Sequence, residues 1–242
     1  VDGAGIKVGV VSNGIDGLTQ SIASGDIPAA GIMVPSIPLA EGGVSVNDPC
    51  PGFTSATSTP AGREDITTGA EGLAMSEIVH DIAPGAELYF AAGLGLLEHL
   101  RAKKCLTEVV DIIADDIAFW NAGPYDGTSP VSMQSTASVQ AGVANFISVG
   151  NHAQRHYKGV FTDTDGDSIH EFDVSLGLPY VNNSGETLDI TVPPNASVRI
   201  SLQWSDPFGA SSNDYDMYVI QPANPESPAF VIVSSSENPQ DG

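Results

Sequence analysis

The segment FTDTDGDSIHEFD, residues 161–173, carries acidic residues at a spacing that suits calcium chemistry. Four of them follow the 1, 3, 5 and 9 pattern of oxygen ligands in acidic calcium loops: Asp163, Asp165, Asp167 and Glu171. The glycine stands at position 4 of this pattern rather than 6, and position 12 is Val174 rather than glutamate. The segment is therefore either a Ca²⁺ site or a solvated acidic turn. A second oxygen-rich set follows later: Asp206, Asn213, Asp214 and Asp216.

The segment AEGLAMSEIVHDIAPGAELYF, residues 70–90, predicts a helix that passes through a Pro-Gly turn into a strand. Thr68 and Glu71 have the spacing of a capping box, in which the glutamate serves only to close the helix start. The alternative is that Glu71 does chemistry. His80 lies nine residues further, about 180° around the helix, so it cannot share a site that Glu71 faces.

The first 155 or so residues alternate strand and helix signals, which predicts a parallel sheet covered by helices on both faces. Sites in such α/β folds gather at the carboxyl ends of the strands. Three polar pairs stand at those ends: Ser12–Asn13, Asp115–Asp116 and Gly150–Asn151. Residues 31–69 are rich in Gly, Pro, Ser and Thr and are expected to form a long surface excursion.

After residue 158 the pattern changes to short alternating strands separated by Pro, Asn and Gly turns. Strands are expected at 186–192, 197–204, 215–221 and 229–235. The sequence therefore predicts two domains, an α/β domain over 1–158 and an antiparallel, β-sandwich-like domain over 159–242.

Composition excludes several classes of function. The net charge of −22 makes nucleic acid or an anionic membrane an unsuitable partner, and no apolar run is long enough to span a bilayer. No G-x-G-x-x-G follows the first strand, so no organic cofactor is expected. Cys50 and Cys105 lack the spacing of a zinc site and form either one disulfide in a secreted protein or two buried thiols.

Four segments resemble the subtilisin/sedolisin superfamily of serine peptidases, in order and in spacing: GIKVGVVSNGID, EGLAMSEIVHDIAPGAELYF, VVDIIADDIAF and ANFISVGN. They are similar to its first strand, its base-bearing helix, its substrate strand and its oxyanion strand, and they cover residues 3–152. The segment 202–219 also resembles part of the β-sandwich domains found in such peptidases. The resemblance implies a subtilisin-like α/β sheet, a secreted protein and a peptide or protein substrate.

Carried over by position, the resemblance makes Glu71 the general base, as in sedolisins, where subtilisins have histidine. Neither family's orienting acid is in place, because Met75 and Ser12 occupy the two positions where one would stand. Asp16, Asp115 and Asp116 are the candidates to replace it, and the last two stand at a strand end.

The same resemblance gives Asn151 the role of donating its side-chain amide to the oxyanion; the alternative is a turn residue after a strand. The family's nucleophile lies in Gly-Thr-Ser-x-Ala-x-Pro, which this chain lacks. Ser129, in GTSP at 127–130, precedes Asn151 and lacks the following Ala, so we interpret it as a decoy.

The expected function is therefore that of one part of a secreted serine peptidase whose nucleophile lies outside these 242 residues, the chain alone being inactive. The remainder of its own precursor is then a candidate partner. The alternative is a catalytically inactive homologue that serves as an extracellular surface or filament protein and associates with itself.

Overall fold

The computed structural model describes the following parts of the chain: residues 2–39, 45–59, 62–120, 122–152, 155–173, 185–207, 209–223 and 229–239. The chain divides into two compact units, one formed by Val1–Val149 with Leu202–Gly242 and the other by Gly150–Ser201. The domain boundary after residue 158 stays a prediction.

The first unit contains a six-stranded sheet. Its strands are β1 Lys7–Ser12, β2 Ile32–Pro35, β3 Phe53–Ala56, β4 Glu87–Ala92, β5 Ile112–Asp115 and β6 Ala144–Ile147. They lie in the order β3-β2-β4-β1-β5-β6, and every neighbouring pair is parallel except β2 and β3. The predicted α/β class is confirmed, with a mixed sheet in place of an all-parallel one.

Four α-helices occur in the described residues: α1 Leu18–Ser24, α2 Glu71–Ile82, α3 Leu96–Thr107 and α4 Pro130–Gln140. The central strands are buried on both faces, so their side chains pack alternately into two hydrophobic cores, one on each face of the sheet. Val10 and Phe90 pack with residues of α1 and α2 in one core. Val11 and Ala91 pack with residues of α3 in the other. Helices therefore cover both faces of the sheet, as predicted.

Residues 31–69 differ from the expected surface excursion, because β2 and β3 lie within them. Ile32 and Val34 of β2 are buried in the core that α1 and α2 cover. The antiparallel strand β3 then closes this edge of the sheet. Each strand has only four residues, too few to show a clear period among the surrounding Gly and Pro.

The opposite edge is strand β6. Phe146 and Ile147 point to opposite faces of the sheet, and their side chains are 65% and 47% exposed. Val149, just beyond the strand, is fully exposed. This edge of the sheet therefore presents apolar residues on both faces.

A separate antiparallel ribbon consists of β7 Met217–Pro222 and β8 Phe230–Ser236. These two strands were predicted from the sequence. The strands expected at 186–192 and 197–204 do not form in the described stretch 185–207. Across the part of the chain that the structure describes, no helix is both long and apolar enough to cross a bilayer.

Candidate active site

Two carboxyl groups and a hydroxyl group meet where β1 and β5 end and α2 begins. Strands β1 and β5 are neighbours, with Val11 opposite Asp115, so Ser12 and Asp116 leave the sheet side by side. The Ser12 hydroxyl donates to Oδ2 of Asp116 at 3.0 Å. Glu71, the first residue of α2, lies close enough for its negative charge to act on Asp116. The structure thus places Glu71 within electrostatic range of Asp116.

The start of α2 is fixed by residues that follow β1. The Asn13 side-chain oxygen accepts from the backbone N–H of Glu71 at 3.2 Å, and the Thr68 hydroxyl donates to the Asn13 carbonyl. Ala70 is the N-cap and makes no side-chain cap, so the predicted Thr68–Glu71 capping box is wrong. Glu71 is the first residue of the helix, so its carboxylate is not used to close the helix start.

Gly72 allows α2 to approach the sheet closely. A Cβ at this position would lie 2.4 Å from Cε2 of Phe90 and 2.8 Å from the Gly14 carbonyl oxygen. Any larger residue would push the helix away from β4 and from the segment after β1. The glycine therefore sets the height at which Glu71 stands above the end of the sheet.

Asp116 is half-buried, and burial raises the pKa of its carboxyl group above the ordinary value. The negative charges of Glu71 and Asp115 raise this pKa further, while the hydrogen bond from Ser12 opposes the rise. Its Oδ1 atom is buried and has no hydrogen-bond partner among the described residues. Burial and the neighbouring negative charges thus favour the protonated form of Asp116, and a carboxyl group of this kind can serve in acid–base chemistry.

Asp115, one residue earlier in the strand, makes different contacts. Its Oδ2 accepts from the Lys103 ammonium group at 2.9 Å, and Lys103 also donates to the Ser135 hydroxyl at 2.8 Å. Its Oδ1 accepts from the backbone N–H of Ile117 at 3.1 Å. Lys103 and Asp115 are almost wholly buried, so this is an internal ion pair. Asp115 is therefore paired with Lys103, and Asp116 is the acid that can interact with Glu71.

His99 completes this buried group. Its Nε2 lies 3.4 Å from Oδ2 of Asp115, and its ring packs edge-on against Phe119 at 4.9 Å. Burial lowers the pKa of His99 to about 4; attraction to Asp115 opposes the shift and repulsion from Lys103 adds to it. The imidazole is therefore neutral at neutral pH, and Lys103 alone supplies the charge that balances Asp115.

Sequence reasoning missed His99 and Lys103. A usable signal exists, because His99, Ala102, Lys103 and Leu106 follow the i, i+3, i+4, i+7 spacing of a core-facing stripe, and all four are buried. A charged residue on such a stripe must find an internal partner.

Asn151 is exposed and belongs to the unit Gly150–Ser201, beyond the end of β6 at Ile147. Its oxyanion role stays a prediction. Ser129 is the N-cap of α4, and its side chain accepts from the backbone N–H of Ser132 at 3.2 Å. This is an ordinary structural role for a serine and agrees with its interpretation as a decoy.

The acidic segment of the second unit gathers its carboxylates. Two groups each have ligand atoms within 4.8 Å of one another. They are Asp163, Asp165 and Glu171, and Asp165, Asp167 and Glu186. These residues could hold a metal ion. Sequence reasoning missed Glu186, which lies outside the 161–173 spacing; Val174, at position 12, lies outside the described residues.

The second oxygen-rich set has a different arrangement around Asp206. This carboxylate accepts from the backbone N–H groups of Ser212 and Asn213, and also from the Ser211 hydroxyl. These hydrogen bonds, led by the one from Asn213, lower the pKa of Asp206 to about 2. Asp206 thus organises a turn.

Cys50 and Cys105 are joined in a disulfide that ties the segment before β3 to helix α3. Beside it lies a cavity of about 380 Å³ whose lining includes Met33, Phe53 and Tyr89. None of its lining residues belongs to the Glu71–Asp116 pair. The cavity and the acid pair are separate features of the first unit.

Comparison with known proteins leaves this geometry as the main guide to function. The chain matches no family model, and it matches no curated protein and no solved structure at a significant level. The resemblance to the subtilisin/sedolisin superfamily therefore depends on the four quoted segments.

Proposed function

We propose that this chain is the base-bearing part of a secreted serine peptidase of the subtilisin/sedolisin type, with Glu71 and Asp116 as its acid–base pair. The observation that supports it is the closeness of these two carboxyl groups at the carboxyl ends of the parallel strands. Active sites of α/β sheets lie at that edge. In this proposal Asp116 takes the place of the orienting acid that is absent at Met75 and Ser12.

The exposed Glu71 carboxylate takes the hydroxyl proton of a serine as the serine oxygen attacks a peptide carbonyl. The same proton then passes to the leaving amine as the C–N bond breaks, which leaves an acyl-enzyme for water to hydrolyse. Asp116 acts on Glu71 through the electrostatic interaction between the two carboxyl groups.

The nucleophile in this proposal is a serine outside these 242 residues. Ser12 lies within reach of Asp116, but its side chain is fully buried and its hydroxyl is occupied as a donor. Ser129 is occupied as a helix cap. Neither position suits attack on a peptide.

Other parts of the proposal have support of their own. The Cys50–Cys105 disulfide favours an oxidising, extracellular location. The acidic groups of residues 163–171 and Glu186 offer hard oxygen ligands, for which Ca²⁺ is the suitable ion. The ribbon of β7 and β8 provides two strands of the proposed β-sandwich.

A second candidate, an inactive homologue that serves as an extracellular structural protein, is favoured by one observation. The exposed apolar residues Phe146 and Ile147 on the edge strand β6, with those of β8, suit association with other chains. In this case the buried Ser12–Asp116 contact is a structural remnant.

The test begins with the reading frame beyond codon 242 and expression of the whole protein. A fluorophosphonate probe is expected to label a serine in the added part. Glu71→Gln and Asp116→Asn should reduce peptide hydrolysis at least about 10²-fold. Asp81→Asn, which removes an exposed charge from the same helix, is the matched control and should have no effect.

A reading frame that stops near residue 242, with no serine that reacts, would reject the peptidase and favour the structural protein. Labelling at Ser129 would show that the nucleophile has been misplaced. Full activity in both acid variants would remove Glu71 and Asp116 from the mechanism.

A further inference from the structure

The group of ionisable residues beneath the acid pair has an arrangement that the proposed mechanism does not explain. Lys103 is fully buried on α3, and its ammonium group reaches Asp115 on β5 and Ser135 on α4. A buried ammonium group is costly to retain, because burial strongly favours its neutral form. The contacts show what balances that cost, since Lys103 meets a carboxylate that is itself buried.

We propose that Lys103 is a positioning residue for the acid pair: it pairs with Asp115 and fixes it, so that Asp116 is the carboxyl group left to interact with Glu71. The inference depends on the proposed role of the pair, although its test does not require activity. Lys103 acts through Asp115 and touches neither Glu71 nor Asp116 in the contacts described.

Position supports this role because Asp115 and Asp116 are adjacent in the chain and make different contacts. Asp115 meets Lys103 with one oxygen and the N–H of Ile117 with the other, which fixes the backbone on both sides of Asp116. Asp116 then meets Ser12.

Charge supports it as well. Three carboxyl groups lie close together, Glu71 on α2 with Asp115 and Asp116 at the end of β5, and Lys103 of α3 is the cation that meets them in the described contacts. The other groups facing them are the neutral ring of His99 and the hydroxyls of Ser12 and Ser135. In the described contacts one cation therefore faces three acids, and Asp115 is the acid that it meets.

The test is a carboxyl-carbon NMR titration of the chain and of variants with opposite effects on this balance. Lys103→Met removes the cation, so the summed titration midpoints of Asp115 and Asp116 should rise by about 1 to 3 units. Asp115→Asn keeps the cation and removes a negative charge, so the Asp116 midpoint should fall. Lys104→Met, which removes the neighbouring, partly exposed lysine paired with Glu108, is the control and should leave both midpoints in place.

Lys103→Met leaves the buried Asp115 carboxylate without its cation and is the variant most at risk of misfolding. The double variant Lys103→Met/Asp115→Asn removes both charges, and because Lys103 acts through Asp115, its Asp116 midpoint should equal that of Asp115→Asn alone. The inference would be overturned by midpoints that move in the same direction in Lys103→Met and Asp115→Asn, or by an Asp116 midpoint in the double variant that differs clearly from that in Asp115→Asn. The titration does not depend on enzyme activity, so these shifts can occur in a protein that hydrolyses no peptide. The proposed function and this inference can therefore fail separately.

Discussion

Asp116 and Glu71 lie close enough for the charge of one to raise the pKa of the other, although one follows strand β5 and the other begins helix α2. The two residues are 45 positions apart in the sequence. They come near each other because β5 lies next to β1, and α2 starts against the segment that follows β1. This relationship links the fold to the proposed chemistry, and it has consequences for stability that can be measured without a substrate.

Asp116→Asn should stabilise the protein at neutral pH. The native state binds the Asp116 proton more tightly than the unfolded chain does, because its pKa is raised. The free energy of unfolding therefore falls as pH rises from the ordinary Asp value through the raised native one. The variant has no carboxyl group here, so its free energy of unfolding does not fall in this way. At pH 7 it should be more stable than the parent by at most about 1 kcal/mol, because solvent screens a half-buried carboxyl group.

Urea unfolding of both proteins at pH 3 and pH 7 measures this gain. Asp81→Asn serves as the control for removal of one negative charge from an exposed position. A variant that is less stable than the parent at pH 7, or equally stabilised at both pH values, would contradict the raised pKa.

The parent protein should lose stability in acid because of His99, and His99→Leu should not show this loss. The pKa of His99 is lowered to about 4, so the unfolded chain takes up a proton that the native state refuses as pH falls below 6.5. By linkage the native protein loses about 3 kcal/mol between pH 6.5 and pH 4. Leucine has a similar volume and cannot be protonated, and neither ring nitrogen of His99 has a hydrogen-bond partner among the described residues.

The difference is read from unfolding free energies at pH 7, 5.5 and 4.5. At pH 7 the two proteins should agree within about 1 kcal/mol. If His99→Leu loses as much stability in acid as the parent, the buried imidazole is not the source of the acid sensitivity.

Removal of the disulfide with Cys50→Ala/Cys105→Ala should lower the free energy of unfolding by about 4 kcal/mol. The bond closes a loop with a sequence separation of 55, and most of its effect comes from restricting the unfolded chain. Thermal unfolding of the parent in a reducing agent is the matching measurement. Agreement between the two is expected, and an unchanged melting temperature in both would mean that the bond contributes nothing.

Calcium should stabilise the unit that contains the acidic segment. With millimolar affinity, typical of extracellular modules, 10 mM Ca²⁺ adds on the order of 1 to 2 kcal/mol. Asp165 belongs to both carboxylate groups, so Asp165→Asn should abolish the effect, whereas Asp189→Asn removes an exposed charge of the same unit and should not. Calorimetric titration and melting curves in CaCl₂ and in EDTA provide the measurements; equal curves would leave a solvated acidic turn.

The sequence was informative where a pattern is local. Helix α2 and strand β4 were predicted nearly to the residue, because apolar spacing and the Pro-Gly turn mark both of them. Strands β2 and β3 were missed, since their burial depends on pairing with β4 and with each other rather than on their own four residues.

The candidate site was predictable to the same limited degree. Strand period 2 implies that Asp115 and Asp116 point in different directions, but it does not say which one meets Glu71. That choice follows from the order of the strands and from Lys103, which is buried. The helical stripe indicates that Lys103 faces the core, but it does not identify Asp115 as its partner. Asp115 and Asp116 were named as one pair, and the contacts divide them.

The edge at β6 has a consequence for handling the protein. Phe146 and Ile147 make this edge of the sheet apolar and exposed, so that it can associate with other copies of the chain. At neutral pH the net charge of −22 makes the copies repel one another and opposes this association. Acidification toward the isoelectric point near 4.1 removes that repulsion, whereas the apolar residues of the edge strand stay exposed. We therefore expect acidified solutions to form fibres or precipitates through pairing of strand β6 with other copies. Phe146→Lys should slow this association.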